Sequence, residues 1–204
     1  MTSPPPALGQ LTRAMSAVGQ LIDGIRDDQW SAPTPCTDWT VRDVIYHLVG
    51  INLVFVARLN DQTPPERGTD VLGDGPAGAY RDSGVAAQGA FEQPGVLERT
   101  YHSPLGAATG AELLHWRIAD LLAHGWDLAR ATGQPAELPE DLAEQALFFA
   151  RVQLATMPRT GRFGPAQPVA DDASAIDRLV AFLGRPVGVS FATLRAPVSD
   201  VPDR

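Results

Sequence analysis

Apolar residues recur at three- and four-residue spacing through Leu8, Leu11, Met15, Val18, Leu21, Ile22 and Ile25. That spacing is the stripe of a helix with one buried face, and it predicts a helix that follows Pro4–Pro6 and ends near Arg26. Pro33, Pro35 and Asp38 punctuate the stretch 27–39, which reads as a turn. Thr40-Val-Arg-Asp43 then fits a capping box, with Thr40 as N-cap and Asp43 three residues on, opening a helix to about Asn60. The stretch 62–79, rich in Pro, Gly and Asp, is a predicted loop, and a weaker helix interrupted by glycines is predicted over 77–91.

Apolar and polar residues alternate over 96–103, which suggests a short extended segment, and 105–110 reads as a turn. The strongest helical pattern covers 111–132 and is closed by Gly133 and Pro135. Pro139 at a first-turn position predicts a further helix to about Met157, followed by a loop over 158–172. A last short helix is predicted over 173–183, ending at Gly184-Arg-Pro. With no internal repeat, the expected fold class is all-α: a helical bundle with long crossover connections over 1–186 and a C-terminal tail over 187–204.

Composition narrows the partners. The 204 residues carry a net charge of −8, so an acidic surface repels phosphate backbones and anionic headgroups, and neither nucleic acid nor a membrane is an expected partner. Cys36 is the single cysteine, which excludes an internal disulfide and suits a reducing compartment. The N-terminal stretch lacks a positive region followed by an apolar run, and the longest apolar stretch, 44–59, is broken by His47, Asn52 and Arg58. The cytoplasm is therefore the expected location. All 16 basic residues are arginine, a bias that suggests a high-GC genome.

The candidate chemistry lies with the histidines. Asp120 and His124 are four residues apart on the strongest helix, so they stack on one face among Ile118, Leu121, Leu122 and Trp126. A buried carboxylate and imidazole need compensation, which either a metal ion or a simple Asp–His hydrogen bond at a packed interface supplies. His47 sits in the apolar run Val44-Ile-Tyr-His-Leu-Val and is the best third ligand, its alternative being a core histidine bonded to a backbone carbonyl. Asp43 lies one turn before His47 but is explained by its capping role. His115 falls off the Asp120–His124 stripe, and His102 lies in the extended segment; neither is selected. Arg117 and Asp127 extend the stripe as ion pairs, at the surface or behind the ligands, or as substrate contacts. Cys36 reads as a small buried side chain or a reactive thiol.

These residues resemble a known family. Pro33-Thr-Pro-Cys-Thr-Asp-Trp-Thr-Val-Arg-Asp-Val-Ile-Tyr-His47 is similar to the opening motif of the mycothiol-dependent maleylpyruvate isomerase N-terminal domain family, one of the DinB/YfiT-like metal-binding bundles. Ala119-Asp-Leu-Leu-Ala-His-Gly-Trp-Asp-Leu-Ala-Arg-Ala-Thr-Gly133 resembles its second motif. Phe163-Gly-Pro and Arg178-Leu-Val-Ala-Phe-Leu-Gly-Arg-Pro186 are similar to an actinobacterial metal-binding subgroup. The resemblance spans about Leu8 to Pro186 and implies a four-helix bundle holding zinc or nickel between helices. By position it assigns His47, Asp120 and His124 as metal ligands, with aspartate standing where the family's isomerase carries glutamate. It also implies mycothiol as a cofactor if the host is an actinobacterium.

Three readings follow, in order. The first is an enzyme of S-transferase or isomerase type acting on an electrophilic small molecule, with the metal converting a low-molecular-weight thiol into a thiolate nucleophile. The second is a non-enzymatic metal-dependent binding or stress-response module. The third is a hydrolase in which the metal activates water, which calls for a separate general base. Bundles of this kind often dimerise, so a homodimer is an expected assembly.

Overall fold

A computed structural model describes residues 6–103, 106–156, 159 and 163–188. The described residues form six α-helices: α1 (Pro6–Asp23), α2 (Val41–Leu59), α3 (Pro76–Phe91), α4 (Gly110–Thr132), α5 (Glu140–Leu154) and α6 (Ala175–Phe182). A 3₁₀ turn at Asp27–Gln29 lies between α1 and α2. Among the described residues no helix is long and apolar enough to cross a membrane.

Four helices make the bundle. α1 packs on α3 and α4, and α2 packs on the same two, so α1 and α2 sit diagonally across the core. α5 and α6 pack on each other and on α4, extending the core on that side. The first stripe is buried as its spacing requires, with Leu11, Val18 and Ile22 almost fully covered. α4 is buried nearly all round, covered by α1, α2, α5 and α6 at once, and its buried charged residues Arg117 and Asp127 are paired.

The helix ends are set by local chemistry. Thr40 accepts from the Asp43 N–H and Asp43 accepts from the Thr40 N–H, the reciprocal capping box that starts α2. Thr109 and Glu112 build the same device at α4. Gly133 closes α4 with φ 72°, a left-handed position that glycine adopts without strain. Gln29 Nε2 donates to the Thr132 carbonyl, satisfying one of the last orphan acceptors of that helix.

The stretch 96–110 departs from expectation. The extended segment is confined to β1 (Thr100–Ser103), because residues 94–98 form a turn. Most of the predicted turn over 105–110 is instead β2 (Gly106–Thr109), pairing antiparallel with β1 through Tyr101↔Ala108. Gly and Ala in β2 conceal the strand because they have little strand preference; the backbone pairing supplies what the side chains do not. Gly110 is obligatory where the hairpin meets α4, since a Cβ there would lie 2.0 Å from the Val96 carbonyl oxygen. The expected end of α5 at Met157, Leu105 of the expected turn, and the tail from residue 189 onward lie outside the described residues.

Candidate metal centre

Three side chains converge between α2 and α4. His47, on the half-buried side of α2, points its Nε2 at Asp120 Oδ1 across 3.1 Å. His124, one turn after Asp120 on α4, brings its own Nε2 to 3.6 Å from the same oxygen. The two imidazoles lie edge to face with centroids 4.7 Å apart. Bond lengths of about 2.0–2.1 Å to nitrogen and oxygen place two ligands of a tetrahedral zinc roughly 3.3 Å apart. The 3.1 and 3.6 Å separations bracket that edge, so the donor set fits a small divalent cation. His47 and Asp120 remain 23% and 27% exposed, so the cluster is open on one side.

Two of the three side chains, Asp120 and His124, are held from behind. Arg117, fully buried one turn before Asp120, donates to Asp120 Oδ2 and leaves Oδ1 facing the histidines. The same guanidinium donates from Nε to Asn52 Oδ1 at 3.0 Å and from Nη2 to the Leu48 carbonyl at 3.0 Å, tying α4 to α2. Asn52 Nδ2 in turn donates to Ser83 Oγ, and the Ser83 hydroxyl to the Tyr80 carbonyl, which carries the network into α3. At the far side of the cluster, His124 Nδ1 donates to Asp127 Oδ2 at 3.0 Å. Since a carboxylate can only accept, this bond fixes the tautomer and frees Nε2 to coordinate.

Trp39 covers the histidines. Its ring stacks on His124 at 5.6 Å with 16° between planes and tilts on His47 at 4.9 Å. The loop that presents it is tightly pinned: Thr34 N–H donates to the Trp39 carbonyl, Trp39 N–H to the Cys36 carbonyl, and Pro33 bridges Thr40. Asp38 takes φ 65°, turning the chain immediately before the tryptophan. The indole covers both imidazoles on one side.

Burial pushes both carboxyls toward neutrality, but their partners outweigh it. Asp120 is held far below the usual carboxylate range by His47, His124 and Arg117, and Asp127 is held low by the His124 hydrogen bond and Arg185. A carboxyl with a depressed folded-state pKa stabilises the fold above its unfolded value of about 3.9, and that contribution is lost as pH falls below it. The metal-free protein is therefore expected to lose melting temperature as pH drops from about 5 toward 3, with a shallower loss in Asp127→Asn. Identical pH slopes in thermal melts of parent and variant would contradict this.

A second group, Cys36, His124 and Asp127, also places its donor atoms within 4.8 Å of one another. It is the poorer cation site. Asp127 already carries Arg185, and His124 Nδ1 is already bonded to it. The Cys36 thiol is pushed up to about 11, by burial first and then by Asp127, so it stays protonated at neutral pH.

The structure thus brings His47, Asp120 and His124 together and leaves the other two histidines apart. His115 stacks against Phe149, and His102 is exposed on the hairpin. Arg117 and Asp127 are not at the surface; both sit behind ligands with no exposure. Trp39 and Arg185 were not selected from the sequence. The tryptophan beside the capping box is a usable signal, because it lies directly before the helix start that positions His47.

The chain is similar to known proteins. Residues 11–129 match the model of the mycothiol maleylpyruvate isomerase N-terminal domain. Uncharacterized proteins from two strains of Mycobacterium tuberculosis are 37% identical over 182 residues, covering 86% of this chain and 95% of theirs. Crystal structures of the mycothiol-dependent maleylpyruvate isomerase, as a histidine-to-alanine mutant and unmodified, align with TM-scores of 0.55 and 0.53. They share 14% and 16% identity with this chain, over 70% of its length and 68% of theirs, and show a common fold.

Proposed function

This chain belongs to the mycothiol maleylpyruvate isomerase N-terminal domain family, and on that premise we propose that it is a metal- and thiol-dependent enzyme of S-transferase or isomerase type. The observation that carries the proposal is the convergence of His47 Nε2, Asp120 Oδ1 and His124 Nε2 at an open-sided cluster. Three protein ligands leave a coordination position for a small molecule, the arrangement of catalytic rather than structural sites. A bound zinc or nickel ion would supply a Lewis acid that lowers the pKa of a coordinated thiol, giving a thiolate at neutral pH.

The chain's own residues favour an anionic ligand there. Each nearby carboxylate has its own guanidinium: Arg117 for Asp120 and Arg185 for Asp127. The histidines add no negative charge, so the cation's charge is left to be balanced by what binds it, and a thiolate does so. Trp39 shields the ligands from water on one side while His47 and Asp120 keep the other side accessible. Mycothiol is the thiol that the family supports, and an electrophilic small molecule is the second substrate.

The hydrolase reading has less support. A water-activating site needs a free general base, and Asp43 and Asp127 are both committed, the first to capping α2 and the second to Arg185. A non-enzymatic binding module predicts a pocket without thiol affinity, and that is open to direct test. Cobalt-loaded protein titrated with mycothiol is expected to develop a sulfur-to-cobalt charge-transfer band, absent from cobalt-treated His124→Ala. Cobalt-loaded parent showing no such band at saturating mycothiol would overturn the thiol reading and leave the binding module.

A further inference from the structure

The residues matched to the family domain stop at 129, yet the candidate centre receives a contact from far beyond it. The contact begins with how α6 ends. Leu183-Gly184-Arg185 closes the helix in a Schellman turn: Gly184 N–H donates to the Ala181 carbonyl at 3.0 Å and Arg185 N–H to the Val180 carbonyl at 2.9 Å. Gly184 takes φ 104°, and a Cβ on it would lie 2.7 Å from Gly164 Cα, so the turn admits only glycine. The reversal aims Arg185 back at α4.

There its guanidinium meets Asp127. Arg185 Nη2 donates to Oδ2 at 2.9 Å, and Nε approaches Oδ1 at 3.4 Å. Asp127 has no exposure, and its Oδ2 is the same atom that receives the His124 Nδ1 proton. A chain of contacts therefore runs from Arg185 through Asp127 to His124, whose free Nε2 faces Asp120. The same segment also grips α4 one residue earlier, where Trp126 Nε1 donates to Asp177 Oδ1 at 2.9 Å.

We infer that Arg185 is a positioning residue of the metal centre, and that the centre is completed by a segment outside the family domain. Its planar fork locks the Asp127 carboxylate in one orientation, and that carboxylate locks the ring plane and tautomer of His124. The inference rests on the metal reading of His47, Asp120 and His124. Asp127 alone could still accept from His124, but a carboxylate with no second partner is free to rotate about its side-chain bonds. Arg185 removes that freedom. Outer partners of this kind are worth about 10–100-fold in metal affinity.

The test uses the full chain and four proteins: the parent, Arg185→Ala, Arg185→Lys and Trp126→Phe. Zinc affinity is read by chelator competition, site geometry by the visible spectrum of bound cobalt, and folding by the melting point of the metal-free form. Arg185→Ala is expected to bind zinc about 10–100-fold more weakly and to show an altered cobalt spectrum. Arg185→Lys keeps the charge without the fork and is expected to fall between it and the parent. Trp126→Phe breaks the neighbouring bond to α6, and is expected to lower the melting point while keeping the parent's affinity and spectrum.

Parent-like affinity and spectrum in Arg185→Ala would overturn the inference. Should that variant fail to fold, a parent-like Arg185→Lys would do the same. Equal loss of affinity in Trp126→Phe would also overturn it, by showing that general loosening of α6 is the cause. A parent that binds neither zinc nor cobalt would instead overturn the metal reading itself.

Discussion

Arg117→Met is expected to lower the stability of the metal-free protein by about 3–5 kcal/mol, the cost of removing one partner from a buried charge pair. At roughly 2–4 °C per kcal/mol for a chain of this size, the melting point falls by about 6–20 °C. The physical reason is that methionine keeps much of the volume but none of the five donors. Asp120 loses the guanidinium that holds Oδ2, and the buried Asn52 carbonyl and the Leu48 backbone carbonyl lose their donor together. Asn52 has no exposure, so water does not readily replace that donor. Denaturant unfolding of the metal-free protein measures the effect. A loss below about 1 kcal/mol would mean that the pair had cost as much in desolvation as it returned.

The second large effect is on cation binding. His47→Ala and His124→Ala are each expected to weaken zinc binding by more than the roughly 100-fold that loss of an outer partner can cost. Both remove a nitrogen donor directly, and neither remaining histidine is placed to replace it: His115 packs on Phe149 and His102 is on the hairpin. The two variants differ in what else they disturb. His124 is only 8% exposed and anchors Asp127, whereas His47 is more open, so His47→Ala is the cleaner removal of a ligand. Its metal-free form should melt near the parent. Retained affinity in His47→Ala would take that residue out of the site.

Much of this arrangement was legible in the chain, for identifiable reasons. The capping box at Thr40 and Asp43 and the left-handed Gly133 are local devices, and local devices can be read from adjacent residues. Their placement of α2 and α4 put His47 and the Asp120–His124 pair on defined faces. That His47 meets Asp120 across 73 positions does not follow from periodicity; a histidine inside an apolar run pointed to it, and the family motifs assign it by position. The hairpin was missed because Gly106, Ala107 and Ala108 carry no strand pattern. Arg117 lies on the Asp120 stripe, but spacing does not say whether an arginine is at the surface or buried. Its burial and its bonds to Asn52 and Leu48, on another helix, show that it is in the core. Arg185 is 58 positions from Asp127, and nothing in Gly184-Arg185-Pro186 beyond a helix stop announces its target.

The central claim is that His47, Asp120 and His124 hold one divalent cation. Its most direct test is elemental analysis of the protein purified without a histidine tag, after add-back of zinc or nickel and removal of the excess. The account predicts about one equivalent of metal in the parent and loss of it in both His47→Ala and His124→Ala. A parent that retains no metal after add-back would contradict it, leaving the three side chains as a hydrogen-bonded core cluster and the thiol enzyme without its centre.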